Sequence, residues 1–155
     1  MSWNTLNFGK YKGRSLPQIL FSDPDWFFWA VENNVFENRP TFRSEAKELY
    51  KKARKIKVPQ KGPERLVVEY WIHRPSEKFS HFEIVPESRP THEGASPTFR
   101  SASIDMSVPR NIAKYDKTGC KSLLDSIKLY LFDSKSARMT RERCEKFFED
   151  SSNFD

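Results

Sequence analysis

The sequence predicts an α+β fold. A small N-terminal β-turn plus two-helix module is packed with or linked to a short antiparallel sheet of about three strands, and two helices follow. Three observations predict it. Apolar residues recur at helical spacing between residues 41 and 56 and between 122 and 131; β-branched and aromatic residues concentrate between 66 and 85; and residues 100 to 108 alternate apolar with polar. Proline- and glycine-rich stretches separate these blocks.

In chain order, Phe8-Gly9-Lys10-Tyr11-Lys12-Gly13-Arg14 alternates ring and charge between two glycines, which suits a short strand or tight turn and not a helix. Ser15 to Phe21 is a short apolar link. Asp23-Pro24-Asp25 then opens a helix expected over Pro24 to Asn33, with Asp23 as cap, Pro24 in the first helical position and Asp25 favouring the dipole. Trp26, Phe27, Phe28, Trp29, Ala30 and Val31 make that helix apolar around most of its circumference, so it is expected to be a hub of the core. A second helix begins near Thr41, where Phe42, Ala46, Leu49, Ala53 and Ile56 hold the apolar face and Lys47, Lys51, Lys52, Arg54 and Lys55 occupy the others.

Residues 58–63 read as a linker, which divides the chain into a basic module at 1–57 and an α+β region at 64–155. Leu66 to His73 and Phe79 to Val85 form a hairpin around Pro75-Ser76-Glu77, and Pro86 to Pro97 is a polar, mobile loop. A third strand is expected over Arg100 to Val108. Leu123, Leu124, Ile127, Tyr130 and Leu131 stripe one helix that starts near Ser122; a last helix starts at Thr140, with Met139 placed to staple against Cys144.

Composition bounds the function. At 155 residues the chain holds one compact domain, or a small module joined to a slightly larger one, and its 13 Phe and 4 Trp supply the buried area for a core. The formal charge is +6, and residues 1–57 carry eleven Lys/Arg against six Asp/Glu, a net of +5. Such asymmetry favours a polyanionic partner, the alternative being a solvated basic face. Cys120 and Cys144 are too few and too far apart for a disulfide framework or thiolate zinc site, and are expected to be buried thiols. Nothing near Met1 resembles a secretory signal and no run of residues is long and apolar enough for a membrane span, so a cytoplasmic location and no membrane partner are expected.

The run from Phe8 to Arg14, followed by Leu16-Pro17 and by Asp25-Trp26-Phe27-Phe28-Trp29, resembles the small domain C-terminal to the nuclease in exodeoxyribonuclease X-like proteins. The likeness spans roughly Leu6 to Asn34. It implies an accessory module that contacts nucleic acid; the nuclease part of that family is not matched, and its activity is not carried over. The region after Asn34 stays without a recognised relative, and the function of residues 64–155 stays open.

The residues themselves support the same expectation. If the segment is extended, Lys10, Lys12 and Arg14 share one face, Tyr11 and Phe8 flank a base, and the glycines let backbone approach the ligand. The alternative is a turn that docks Tyr11 into the core and leaves the lysines solvated. The expected phosphate-contacting set is Lys10, Tyr11, Lys12, Arg14, Arg43, Lys47, Lys51, Lys52, Arg54 and Lys55, for DNA or RNA, with no cofactor and no catalytic residue assigned. A protein-interaction adaptor of phage or mobile-element type, using the loop from Pro86 to Pro97, is the second reading. A metal-dependent nuclease built on Glu69, Glu83 and Asp105, with Lys78 or Lys114 nearby, is the third. His73 and His81 fall on the two strands of the expected hairpin, but their spacing is that of surface strand residues and not of a metal site. Lys117-Thr118-Gly119-Cys120-Lys121-Ser122 fails as a phosphate-binding P-loop, because Cys120 intervenes between Gly119 and Lys121 and the upstream glycine is missing.

Overall fold

The computed structural model describes residues 3–92 and 94–155. Three helices come first: α1 over Leu16–Leu20, α2 over Pro24–Glu32 and α3 over Pro40–Ala53. Asp23 caps α2 by accepting the Trp26 N–H, with Pro24 just inside the start, as the sequence predicts. The link after Arg14 is itself helical, because Ser15 and Gln18 form a capping box and Pro17 fits the first turn. Strands β1 (Ile56–Lys57), β2 (Leu66–His73), β3 (Lys78–Pro86), β4 (Thr98–Ser101) and β5 (Ser103–Ile104) follow. The helices α4 (Val108–Ile112), α5 (Lys117–Leu131) and α6 (Arg141–Glu149) complete the order, with a short 3-10 turn at Ser151–Asn153. The fold is α+β.

The three-stranded sheet has the order β3-β2-β4, antiparallel throughout, with Tyr70 opposite both Phe82 and Phe99. Ile56 and Lys57 pair instead with Ile104 and Ser103 in a separate two-stranded sheet. The single third strand expected over Arg100 to Val108 is therefore broken in two and then turns helical. Tyr70 makes the corner: its hydroxyl accepts the Asp105 N–H at 2.8 Å and donates to the Ser103 carbonyl at 3.2 Å. Pro109, which offers no N–H to a strand, sits in the first turn of α4. Similarly, α5 begins at Lys117 and not near Ser122, because Asp116 caps it by accepting the Gly119 N–H at 2.8 Å.

One buried cluster runs through the molecule. Leu16, Ile19 and Leu20 of α1, Phe27 and Phe28 of α2, Leu49 of α3, Tyr70 and Phe82 of the sheet, and Leu123, Ile127 and Phe148 of the later helices all belong to it. Of the two arrangements the sequence allowed, packed with or linked to, the packed one is observed. Within residues 58–63, Val58 is buried and Gln60 exchanges hydrogen bonds with the Leu66 backbone. Rings of this size each contribute about 1.5–3 kcal/mol when fully buried, so Phe27 and Phe28 anchor α2 inward as the sequence led us to expect.

An ion network centred on buried Arg110 and Asp25, with exposed Glu32 at its edge, ties α2 to α4. The Arg110 guanidinium, with its side chain 4% exposed, donates to Asp25 at 3.1 Å and to Glu32 at 2.8 Å. Its hydrogen bonds, more than its proximity to charge, hold the Glu32 carboxyl below the usual glutamate range and push the Arg110 pKa up. The same Asp25 oxygen accepts the Tyr115 N–H at 3.2 Å, which extends the network to the turn before α5.

Candidate nucleic-acid interface

Residues 8–14 form a closed double turn. Leu6 donates its N–H to the Arg14 carbonyl at 2.9 Å and Gly13 donates to the Leu6 carbonyl at 2.8 Å, while Gly9 (φ 73°) and Gly13 (φ 89°) take left-handed conformations that glycine accepts without strain. The segment is a turn and not an extended strand, so alternation does not place Lys10, Lys12 and Arg14 on one face.

Both rings of the motif are engaged by the protein. The Tyr11 hydroxyl donates to the Asp23 carboxylate and its ring meets Trp26 edge-on at 5.1 Å; burial, reinforced by Asp23, raises the phenol pKa so that it stays protonated. Phe8 lies beneath the Arg39 guanidinium, 3.8 Å from its ring centre, and packs edge-on against Phe36 and Phe42. Docking into the core is the observed role of Tyr11. Lys10 lies 3.7 Å from Asp23, whereas Lys12 and Arg14 are exposed and form no ion pair among the described residues.

The clearer surface is on α3. Arg43, Lys47, Lys51 and Arg54 fall at intervals of four, four and three, so they line one face of the helix, with half-buried Tyr50 among them. Arg43 and Lys47 border a cleft of about 430 Å³ floored by Val31, Phe36 and Tyr50; Lys51, Arg54 and Lys55 border a second, of about 450 Å³, on the other side of Tyr50. Arg43, Lys47, Lys51 and Lys55 are exposed and without an ion pair among the described residues. Arg54 stacks on Tyr50 at 5.2 Å and lies 3.7 Å from Asp105. Lys52 points elsewhere: its ammonium donates to Glu48 at 2.9 Å and to the Phe148 carbonyl at 2.8 Å, and so it ties α3 to α6.

The other candidate chemistry is dispersed. Glu69 and Glu83 oppose each other in register, but the buried Glu69 carboxylate is closed on Arg100 at 2.8 Å, and Asp105 accepts the Ser107 N–H and hydroxyl. Among the described residues, no group of three or more His, Cys, Asp or Glu side chains converges as a metal site would require. His81 stacks on Trp71, while His73 is bonded to Ser76, so the two histidines do not meet. Burial pushes the thiols of both Cys120 and Cys144 up to about 12, which leaves them protonated and unreactive near neutral pH. No described helix is long and apolar enough to cross a membrane.

Sequence reasoning missed a second run of cations, Lys117, Lys121 and Lys128 on α5, which border a groove together with Lys10. Their intervals of four and seven were legible as one helix face, but the near-zero net charge of the C-terminal region hid them. Compared with protein-family models, curated proteins and solved structures, the chain matches none.

Proposed function

We propose that this protein binds nucleic acid through phosphate contacts made by the outer face of α3, supported by Lys12 and Arg14 of the N-terminal turn. The observation that carries the reading is the row Arg43, Lys47 and Lys51, exposed on one helix face and free of ion pairs among the described residues. Cations held by carboxylates already have a counter-charge; these form no ion pair, although Glu37 lines the same cleft as Arg43 and Lys47, so they keep mobile counter-ions that a polyanion displaces with a gain in entropy. Half-buried Tyr50 between two clefts gives the row an aromatic floor, on which a base or sugar can rest. The resemblance of residues 6–34 to an accessory module of nucleic-acid-processing enzymes agrees with this. Phosphate contacts carry no sequence information, so recognition has little sequence preference.

The test is a fluorescence-anisotropy titration with labelled single-stranded and duplex oligonucleotides at low and at physiological salt. Affinity is expected to fall steeply as salt rises. Absence of binding to either form at low salt refutes the proposal.

A further inference from the structure

The turn between α4 and α5 holds a feature that packing does not explain. Tyr115 is 68% exposed, and its backbone has φ 61°, in the left-handed region that a bulky side chain enters only at a cost. Among the described residues, the other non-glycine residues with positive φ are Asn34, Glu77 and Asp133, and two of those are of the types that tolerate it best. What holds Tyr115 there is the buried network: its N–H donates to Asp25, which Arg110 fixes in turn, and the Arg110 guanidinium lies 5.7 Å from the Tyr115 ring centre. A rigid core thus spends backbone strain on presenting an aromatic ring to solvent.

Two residues further on, Lys117 begins the α5 strip. Lys117, Lys121 and Lys128 lie on one face over about 16 Å of helix. Together with Lys10 from the N-terminal turn they border a groove of about 430 Å³. Two carboxylates line it as well; Asp23 is already engaged by Tyr11 and Lys10, which leaves Asp125 against the three lysines of α5.

We infer that the Tyr115 turn and the α5 groove form a single-strand binding site, in which Tyr115 stacks an unpaired base and Lys117, Lys121, Lys128 and Lys10 hold the adjoining phosphates. The inference rests on the nucleic-acid reading above and deepens it, since it names the single-stranded form as ligand and places a contact on the C-terminal region. A ring that must lie flat on a base needs one free to leave the stack, which a duplex does not offer.

The experiment compares the wild-type protein with three variants in anisotropy titrations against labelled oligothymidylate and a duplex of mixed sequence. Tyr115→Gly suits the left-handed backbone, so its melting temperature is expected to equal or exceed that of the wild type. Its affinity for oligothymidylate is expected to fall on the order of tenfold, with duplex binding unchanged; Tyr115→Phe restores the single-strand affinity. Replacement of Lys117, Lys121 and Lys128 together by Gln is expected to lower the slope of log affinity against log salt by about 2. If the wild type binds, and Tyr115→Gly and the lysine variant bind oligothymidylate as it does, the site is refuted while the α3 reading stands. If the lysine variant weakens binding but Tyr115→Gly does not, the groove is an anion track alone and the stacking role is refuted. If the wild type binds neither ligand, the functional reading falls, and this one falls with it.

Discussion

Arg110 and the α3 row show two uses of the same charge. Arg110 is closed in by Asp25 and Glu32 between α2 and α4, and its charge serves the fold. Arg43, Lys47 and Lys51 face outward and form no ion pair among the described residues, so the fold gains almost nothing from their charge. A count of basic residues cannot separate these cases, because the separation is made by what each helix face packs against. The difference teaches that the candidates for ligand contact are the cations that packing leaves uncompensated, and that the two sets must respond oppositely to substitution.

The largest effect is expected at the closed end of this comparison. Arg110→Met leaves the buried Asp25 carboxylate without its charged partner and is expected to cost about 3–5 kcal/mol in urea unfolding. A loss below about 1 kcal/mol would place Arg110 with the surface cations. Gly119→Ala comes next. Alanine normally stabilises a helix by about 1 kcal/mol over glycine, but a Cβ at position 119 would run into the Asp116 carboxylate that caps α5. A net destabilisation of about 1–2 kcal/mol is expected, and a gain in stability would show that the cap is dispensable.

The pH dependence sharpens the same contrast on a smaller scale. The Glu32 carboxyl is depressed in the fold, so its contribution is complete above the ordinary glutamate value of 4.5 and is lost as pH falls through the lower folded value. Below pH 4.5 the stability of Glu32→Gln is therefore expected to decline less steeply than that of the wild type, as followed by thermal melts across the acid range. Identical profiles would mean that Glu32 is not coupled to Arg110 in solution. The smallest effect belongs to the open end: Arg43→Ala, Lys47→Ala and Lys51→Ala, singly, are each expected to shift stability by no more than about 0.5 kcal/mol.

The helices and the hairpin were legible wherever local chemistry decides them. Asp23-Pro24 starts α2, the apolar spacing from Phe42 to Ala53 gives α3, and β2 runs over Leu66–His73 as its composition predicts. The region from Arg100 to Val108 was not, because its alternation is real but serves two sheets, and the corner depends on the Tyr70 hydroxyl more than thirty positions away in sequence. The site followed the same rule. Periodicity placed Lys47 and Lys51 on an exposed face, while the capture of Lys52 by the Phe148 carbonyl and of Tyr11 by Asp23 depends on partners that spacing does not reveal. The strained Tyr115 carries no signal in its own sequence, since its conformation is imposed by Asp25 from α2.

The most direct test of the central claim compares the salt dependence of single-strand binding by the wild type with that of a variant in which Arg43, Lys47 and Lys51 are all Ala. Each lost phosphate contact should reduce the slope of log affinity against log salt by about 0.7, so a reduction of about 2 is expected, with the melting temperature nearly unchanged. An unaltered slope and affinity in a folded variant would contradict the assignment of α3 as the nucleic-acid face.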